Sequence, residues 1–342
     1  MKNRAEDNAF FWSIAAEFLN NYLPDIRRAS ANTVASYRNC LNRYIDYLES
    51  EKGAKRKDIS FKMLDRENIK GYMLWMHKTA QLAPKTCNLR LTALRSLLEY
   101  ASQECIDIMP ICISSGTIKG IRLTQAPIEF FEREAMSALM AAPDTHKKLE
   151  RRNQMLLIFL YDTAARVSEA LKVRLCDLHM DASIPHVTFF GKGRKYRNVP
   201  LMDSTLAHLK RYLREFHGSE YESTDAPLFY AKTHGKAHGL SIDTPEKMIK
   251  RYAKKLSDTC LSMPGNVHCH MIRKTRAMHL YQEGVPLTHI QQLLGHEVLS
   301  TTSGFYAFAT LETLSKSLER ANPSDMEKSW KSKEYSERLY KL

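Results

Sequence analysis

The sequence is short of the features that would send a chain to a membrane or an oxidising compartment. Its densest apolar run, Met155–Tyr161, stops at Asp162, whereas a spanning helix needs about 20 apolar residues. The first residues, Met1 to Asp7, lead into no secretory apolar stretch. The seven cysteines are odd in number and contain no Cys-x-x-Cys pair. That argues against a disulfide framework and fits reduced thiols. His268-Cys269-His270 is a compact group of metal-binding side chains, but adjacent residues rarely converge on one ion. No second ligand pair follows at zinc-finger spacing. The expectation is a cytoplasmic protein with no cofactor, no metal and no membrane association. Acidic charge is also scarce: 38 Asp and Glu stand against 51 Lys and Arg, a net charge of +13. Such a balance suits a polyanion, with nucleic acid ahead of an anionic membrane surface.

The chain has 342 residues, of which 44% are hydrophobic. That is too long for one ordinary core and too apolar for a disordered chain, so two domains are expected. The charge is spread over both: 19 basic against 13 acidic residues up to position 128, and 32 against 25 beyond it. Both parts could therefore touch one polyanion.

Helical spacing dominates the first part. Val34, Tyr37, Leu41, Tyr44, Ile45 and Leu48 form one stripe, closed by Gly53. Leu91, Leu94, Leu97, Leu98 and Ala101 form another, in a helix opened by Pro84. Helices near 9–22 and 65–78 complete an all-α bundle over 1–110. Arg38, Arg43, Lys85, Arg90 and Arg95 fall off the apolar stripes and are candidate DNA contacts, although any one of them also suits a solvated face. Residues 111–128, with two glycines and Pro127, lack helical periodicity and are expected to be a linker. Over 129–322 a mainly α domain with a small antiparallel β-sheet is expected (α+β overall). Val187–Phe190 and Tyr196–Leu201 flank a turn as strands, with helices around them. Leu311, Leu314 and Leu318 mark a last amphipathic helix, and 323–342 is a polar tail.

Five segments of this second domain carry possible chemistry: Ala164-Ala-Arg166-Val-Ser-Glu169, Gly191-Lys192-Gly-Arg-Lys-Tyr-Arg197, His270-Met-Ile-Arg273, Leu293-Leu-Gly-His296 and Thr301-Thr-Ser-Gly-Phe-Tyr306. Each alone has a plain structural account. Arg166 can pair with Glu169 or Glu150, Lys192 suits a hairpin turn, and His270 and Arg273 lie one helical turn apart. Gly295 suits a helix C-cap, and Tyr306 suits a core.

In this order the five segments resemble those of the tyrosine recombinase (phage integrase-like) family of Xer and integrase type. The resemblance covers roughly 129–320, and the bundle before it is similar to that family's core-binding domain. Two departures stand out. Ala164 and Ala165 occupy the place of the usual glycine, and His296 lies ten residues before Tyr306, one more than the family spacing. The resemblance implies a two-domain DNA clamp whose active site is Tyr306, Arg166, Lys192, His270, Arg273 and His296. It implies a double-stranded DNA partner with an inverted-repeat core site, self-association on DNA, and a tetramer in the synapse. It further implies integration, excision or transposition of a mobile element or phage, with a chromosome-resolving Xer-like enzyme as the other setting.

The residue types suit phosphodiester chemistry. Two arginine forks match the non-bridging oxygens. A tyrosine, with a pKa of about 10, needs a base and a cationic field to become a nucleophile. His270 is the candidate base, His296 a hydrogen-bonding partner, and Lys192 the acid for the departing 5′ oxygen. The sequence contains neither a phosphate-cradling Gly-x-x-x-x-Gly-Lys-Ser/Thr loop nor a second histidine after His296-Glu297 for a zinc protease helix. The alternatives are a type IB topoisomerase-like enzyme, an inactive DNA-binding protein of the same fold, and an RNA-binding protein supported by charge alone.

Overall fold

The structure, a computed structural model, describes residues 4–123, 129–191, 196–218 and 224–295. Lys192, His296, Tyr306, the helix expected near 310–320 and the polar tail lie outside the described residues. The chain divides into two compact units, Met1–Ala126 and Pro127–Leu342. It is mainly α with small antiparallel sheets, as the sequence predicts.

The first unit is all-α: α1 (Arg4–Glu17), α2 (Ala31–Lys52), α3 (Arg66–Leu74), α4 (Pro84–Glu104) and α5 (Met109–Gly116). Helix ends follow local chemistry. Ser30 accepts the Thr33 amide at 3.2 Å, Asp65 accepts the Asn68 amide at 2.8 Å, and Gly53 ends α2 at φ 64°. The two predicted stripes meet in the core, where Leu94, Leu97 and Leu98 are wholly buried beside Tyr44 and Leu48. Each such leucine contributes roughly 2 kcal/mol by leaving water.

The linker expected at 111–128 is shortened by α5, which starts before it and occupies its first residues. Pro110 sits in the first turn, where a missing N–H costs little. Ser115 is fully buried and donates to the Leu64 carbonyl at 3.2 Å. Beyond α5, the Asn88 side chain bonds both the amide and the carbonyl of Ile121, each at 2.8 Å. Gly120 passes so close that a Cβ there would lie 2.9 Å from Asn88 Oδ1. These contacts hold the chain against the first unit up to Ile121.

The second unit contains α6 (Arg133–Ala141), α7 (Lys148–Thr163), α8 (Val167–Ala170), β1 (Leu178–His179), β2 (His186–Phe190), β3 (Tyr196–Pro200), α9 (Asp203–Phe216), β4 (Tyr230–Thr233), β5 (Lys236–Gly239), α10 (Asp243–Leu256), α11 (Cys269–Gln282) and α12 (Leu287–Leu294). Strands β1, β2 and β3 form one antiparallel sheet in that order, with Phe189 opposite Arg197 and Phe190 opposite Tyr196. Strands β4 and β5 form a separate hairpin. Helix α7 carries the densest apolar run and buries Leu156, Leu157 and Phe159 completely in the main core. A smaller cluster of Ala164, Ala277, Met278, Ile290 and Leu294 joins the end of α7 to α11 and α12. Among the described residues no helix is long and apolar enough to cross a membrane.

Candidate active site

Arg166 stands at the turn between α7 and α8. Helix α7 ends at Ala164, whose φ of 48° and ψ of 27° are left-handed. Glycine takes that conformation without steric cost. The turn frees Arg166 to cap α8: its carbonyl accepts the Glu169 and Ala170 amides, each at 2.9 Å. Glu169 reaches back in return. Its Oε2 accepts the Arg166 amide at 3.0 Å and its Oε1 accepts Arg166 Nη1 at 2.6 Å. Arg166 therefore pairs with Glu169; Glu150 instead meets Arg251 and Tyr252. The Arg166 side chain keeps 34% of its surface exposed while that of Glu169 keeps 7%, so the guanidinium is gripped from inside and open outward.

Glu169 has a second cationic partner. Arg197 Nη2 donates to its Oε2 at 2.8 Å. Burial alone would raise the Glu169 pKa. The hydrogen bond and charge of Arg197, then those of Arg166, outweigh it and pull the carboxyl down to about 2. It is a carboxylate at every working pH.

Arg273 lies in α11, 3% exposed. Its Nη1 donates to the Ala164 carbonyl at 2.8 Å, and its Nη2 donates to the Leu294 carbonyl. One side chain thus ties the turn that carries Arg166 to the end of α12. There Gly295, at φ 62°, closes the helix immediately before His296. The small apolar cluster beneath holds Ala164 and Leu294 in the same packing unit.

His270 occupies the first turn of α11. His268 caps that helix by accepting the Met271 amide on Nδ1 at 3.2 Å, and the Cys269 amide donates to Glu246 at 3.0 Å. His268 and Cys269 thus serve different partners. The His270 side chain reaches solvent, yet its packed surroundings and the nearby charges of Arg273, Lys274, His268 and Arg166 push its pKa down to about 4. Burial is the largest cause and Arg273 the next. His270 is a neutral base at pH 7, beside two arginines.

Of the six predicted catalytic residues, Arg166, His270 and Arg273 come together; Lys192, His296 and Tyr306 lie outside the described residues. The five predicted DNA contacts divide. Arg38, Arg43 and Lys85 are exposed, with Arg38 donating to Asn20 and Arg43 paired with Asp46. Arg90 and Arg95 are half-buried and donate to the Tyr72 hydroxyl and the Gly116 carbonyl. These two brace the bundle.

Residues 129–312 match the phage integrase family, and residues 11–113 match the phage integrase SAM-like domain. The first match spans more than half of the sequence. The chain belongs to the phage integrase family. It is a tyrosine-type site-specific DNA recombinase, an enzyme that cleaves and rejoins DNA strands through a tyrosine intermediate. Tyrosine recombinase XerD of Staphylococcus saprophyticus is 30% identical, over 80% of this chain and 86% of its own. Tyrosine recombinase XerC of Chlamydia caviae is 27% identical, over 89% and 96%. Among solved structures, the XerH recombinase in a post-cleavage complex with a palindromic difH substrate has a TM-score of 0.66 and 21% identity, covering 97% of this chain and 92% of XerH. The Tn1549 transposon integrase with transposon right-end DNA has a TM-score of 0.65 and 17% identity, covering 92% and 98%. Both share the recombinase fold.

Sequence reasoning missed two features of this recombinase. Arg197 was given no role, although it is nearly buried against Glu169; its place one residue after Tyr196 in a strand was the available signal. Helix α10 exposes Lys247, Lys250 and Lys254 at helical spacing, beside the Gly265-Asn266 segment that leads into α11.

Proposed function

We propose that Tyr306 attacks a DNA phosphodiester held by Arg166 and Arg273, forms a 3′-phosphotyrosyl link and releases a 5′-hydroxyl. His270 accepts the tyrosine proton. Lys192 protonates the departing oxygen, and His296 hydrogen-bonds the phosphate. The 5′-hydroxyl of a partner strand then reverses the step, so bond energy is conserved in the ester and no metal or nucleotide is invoked. The observation that carries this reading is Arg273 bridging the Ala164 and Leu294 carbonyls. That bridge supports convergence of the Arg166, His270–Arg273 and Gly295-His296 segments on one phosphate. Preorganised donors of this kind are each worth about 10²–10³ in rate.

Both units close on one duplex as a clamp. Arg38, Arg43, Lys85 and the α10 lysines face phosphate, and the core site is an inverted repeat, like the palindromic substrate held by XerH. Self-association yields a tetramer at synapsis, and the biological setting is movement of a mobile element. The test uses full-length protein and a nicked suicide substrate carrying the cognate site, with a chelator present. Wild type yields a denaturant-resistant protein–DNA band; Tyr306→Phe, which removes one oxygen and almost no volume, binds the DNA and yields none. A band from the mutant, or its absence from wild type on a verified site, overturns the assignment.

A further inference from the structure

Arg197 is a charged residue in an unusual place. It sits on β3, one residue after Tyr196, and its side chain is only 13% exposed. Its guanidinium carbon lies 4.8 Å from the ring centroid of Phe189, its direct partner on β2, itself 1% exposed. From that stack Nη2 reaches the Glu169 carboxylate at 2.8 Å. Its aliphatic stem runs against the bare Cα of Gly295: a Cβ there would lie 3.0 Å from Arg197 Cδ and 3.4 Å from Nη1. One side chain thus touches the strand that precedes Lys192, the carboxylate that holds Arg166, and the residue before His296.

The chemistry assigns a role. Glu169 could grip Arg166 with both oxygens, in the fork-to-fork manner that leaves little guanidinium facing outward. Arg197 occupies Oε2 together with the Arg166 amide and leaves Oε1 to Arg166 Nη1. The single contact fixes the direction of Arg166 and leaves its remaining donors to a ligand. We propose that Arg197 is a positioning residue for DNA cleavage: it sets the Glu169 carboxylate that aims Arg166, and the lack of a side chain at Gly295 gives it room. The proposal rests on Arg166 being a phosphate-binding residue.

Single-turnover cleavage of the suicide substrate tests it, with the full chain and DNA affinity measured in parallel. Arg197→Met should slow cleavage by about 10²-fold, the effect expected of a misplacement near 1 Å, with affinity within about threefold. Arg197→Lys keeps charge and stem without the fork, secures folding, and should recover only part of that rate. Coupling is the deciding readout: Arg166→Ala with Arg197→Met should be no slower than Arg166→Ala alone, because the second change acts through the first. Gly295→Ala should slow cleavage as Arg197→Lys does, and the combination of those two should fall short of their product. If Arg166→Ala is crippled while both Arg197 variants cleave at the wild-type rate, or if the Arg166 and Arg197 losses multiply, the proposal is wrong and the reading of Arg166 stands. If Arg166→Ala cleaves normally, both fall.

Discussion

The depressed pKa of His270 gives a quantitative test of its proposed role as the base. With a pKa of about 4, roughly 97% of the imidazole is neutral at pH 5.5, whereas an ordinary histidine at about 6.5 would be only about 9% neutral. The enzyme should therefore keep about ten times more competent base at that pH than an unperturbed site would. The cause is burial first, then the charges of Arg273, Lys274, His268 and Arg166. The position in the first turn of α11 acts in the same direction, since the N-terminal end of a helix disfavours a cation. A bound phosphodiester opposes them, so the imidazole becomes a better proton acceptor once DNA is in place.

The assay is the initial rate of covalent complex formation at subsaturating DNA between pH 4.5 and 8, which reports the free enzyme. The base is active when neutral, so activity is retained above the folded pKa and falls as pH drops through it. Wild type should stay level down to about pH 5. Lys274→Met removes one of the cations, raises the His270 pKa and should move the acid limb to higher pH. Circular dichroism at each pH separates unfolding from titration. A wild-type limb centred near 6.5, or a His270→Gln variant that cleaves like wild type, would refute the assignment.

Ala164→Gly should leave stability within about 1 kcal/mol of wild type. Relief of the left-handed conformation offsets the buried methyl and the added chain entropy, and a change of more than about 1 kcal/mol in the unfolding free energy from denaturant titration would argue against that balance. Arg38→Gln should weaken DNA binding and reduce the salt slope by about 0.9, as loss of one phosphate contact does. Arg95→Gln should instead lower the melting temperature with the slope unchanged, because Arg95 holds the Gly116 carbonyl. Deleting residues 309–342 should preserve binding to a single half-site and weaken paired-site assembly, measured by gel shift on one- and two-site DNA.

The helices were legible where their apolar stripes are regular; α2 stops at the predicted Gly53 and α4 starts at the predicted Pro84. Helix α5 was hidden because its buried face includes Ser115, which carries no apolar signal. Strand β1 has two residues, and β5 is exposed throughout, so neither offers an alternation to detect. At the candidate site, the segments quoted for Arg166, His270 and Arg273 named residues that the fold brings together, but not the arrangement around them. Hydrophobic periodicity has no way to mark a buried arginine or glutamate. The pairing of Glu169 with Arg197 links positions 28 apart in sequence, and only the register of β2 with β3 brings it about.

Several local conflicts meet in this one place, and that convergence is an argument for the site independent of any motif. Ala164 adopts a conformation that glycine would take more readily. Arg273 and Arg197 are nearly buried cations, and Glu169 is a nearly buried anion. Packing alone would be served as well by apolar residues of similar size, since desolvating an ion pair often cancels its attraction. Each conflict is resolved by a partner that another conflict supplies. The left-handed turn at Ala164 presents the carbonyl that Arg273 binds, and the bare Gly295 leaves the space that Arg197 fills. Removing any one strands the others, as expected where strain is retained for placement of functional groups. The groups held together here are two arginines, one from the α7–α8 turn and one from α11, an imidazole that feels both charges, and a carboxylate shared by Arg166 and Arg197, a set of forks and a base that would suit a phosphate.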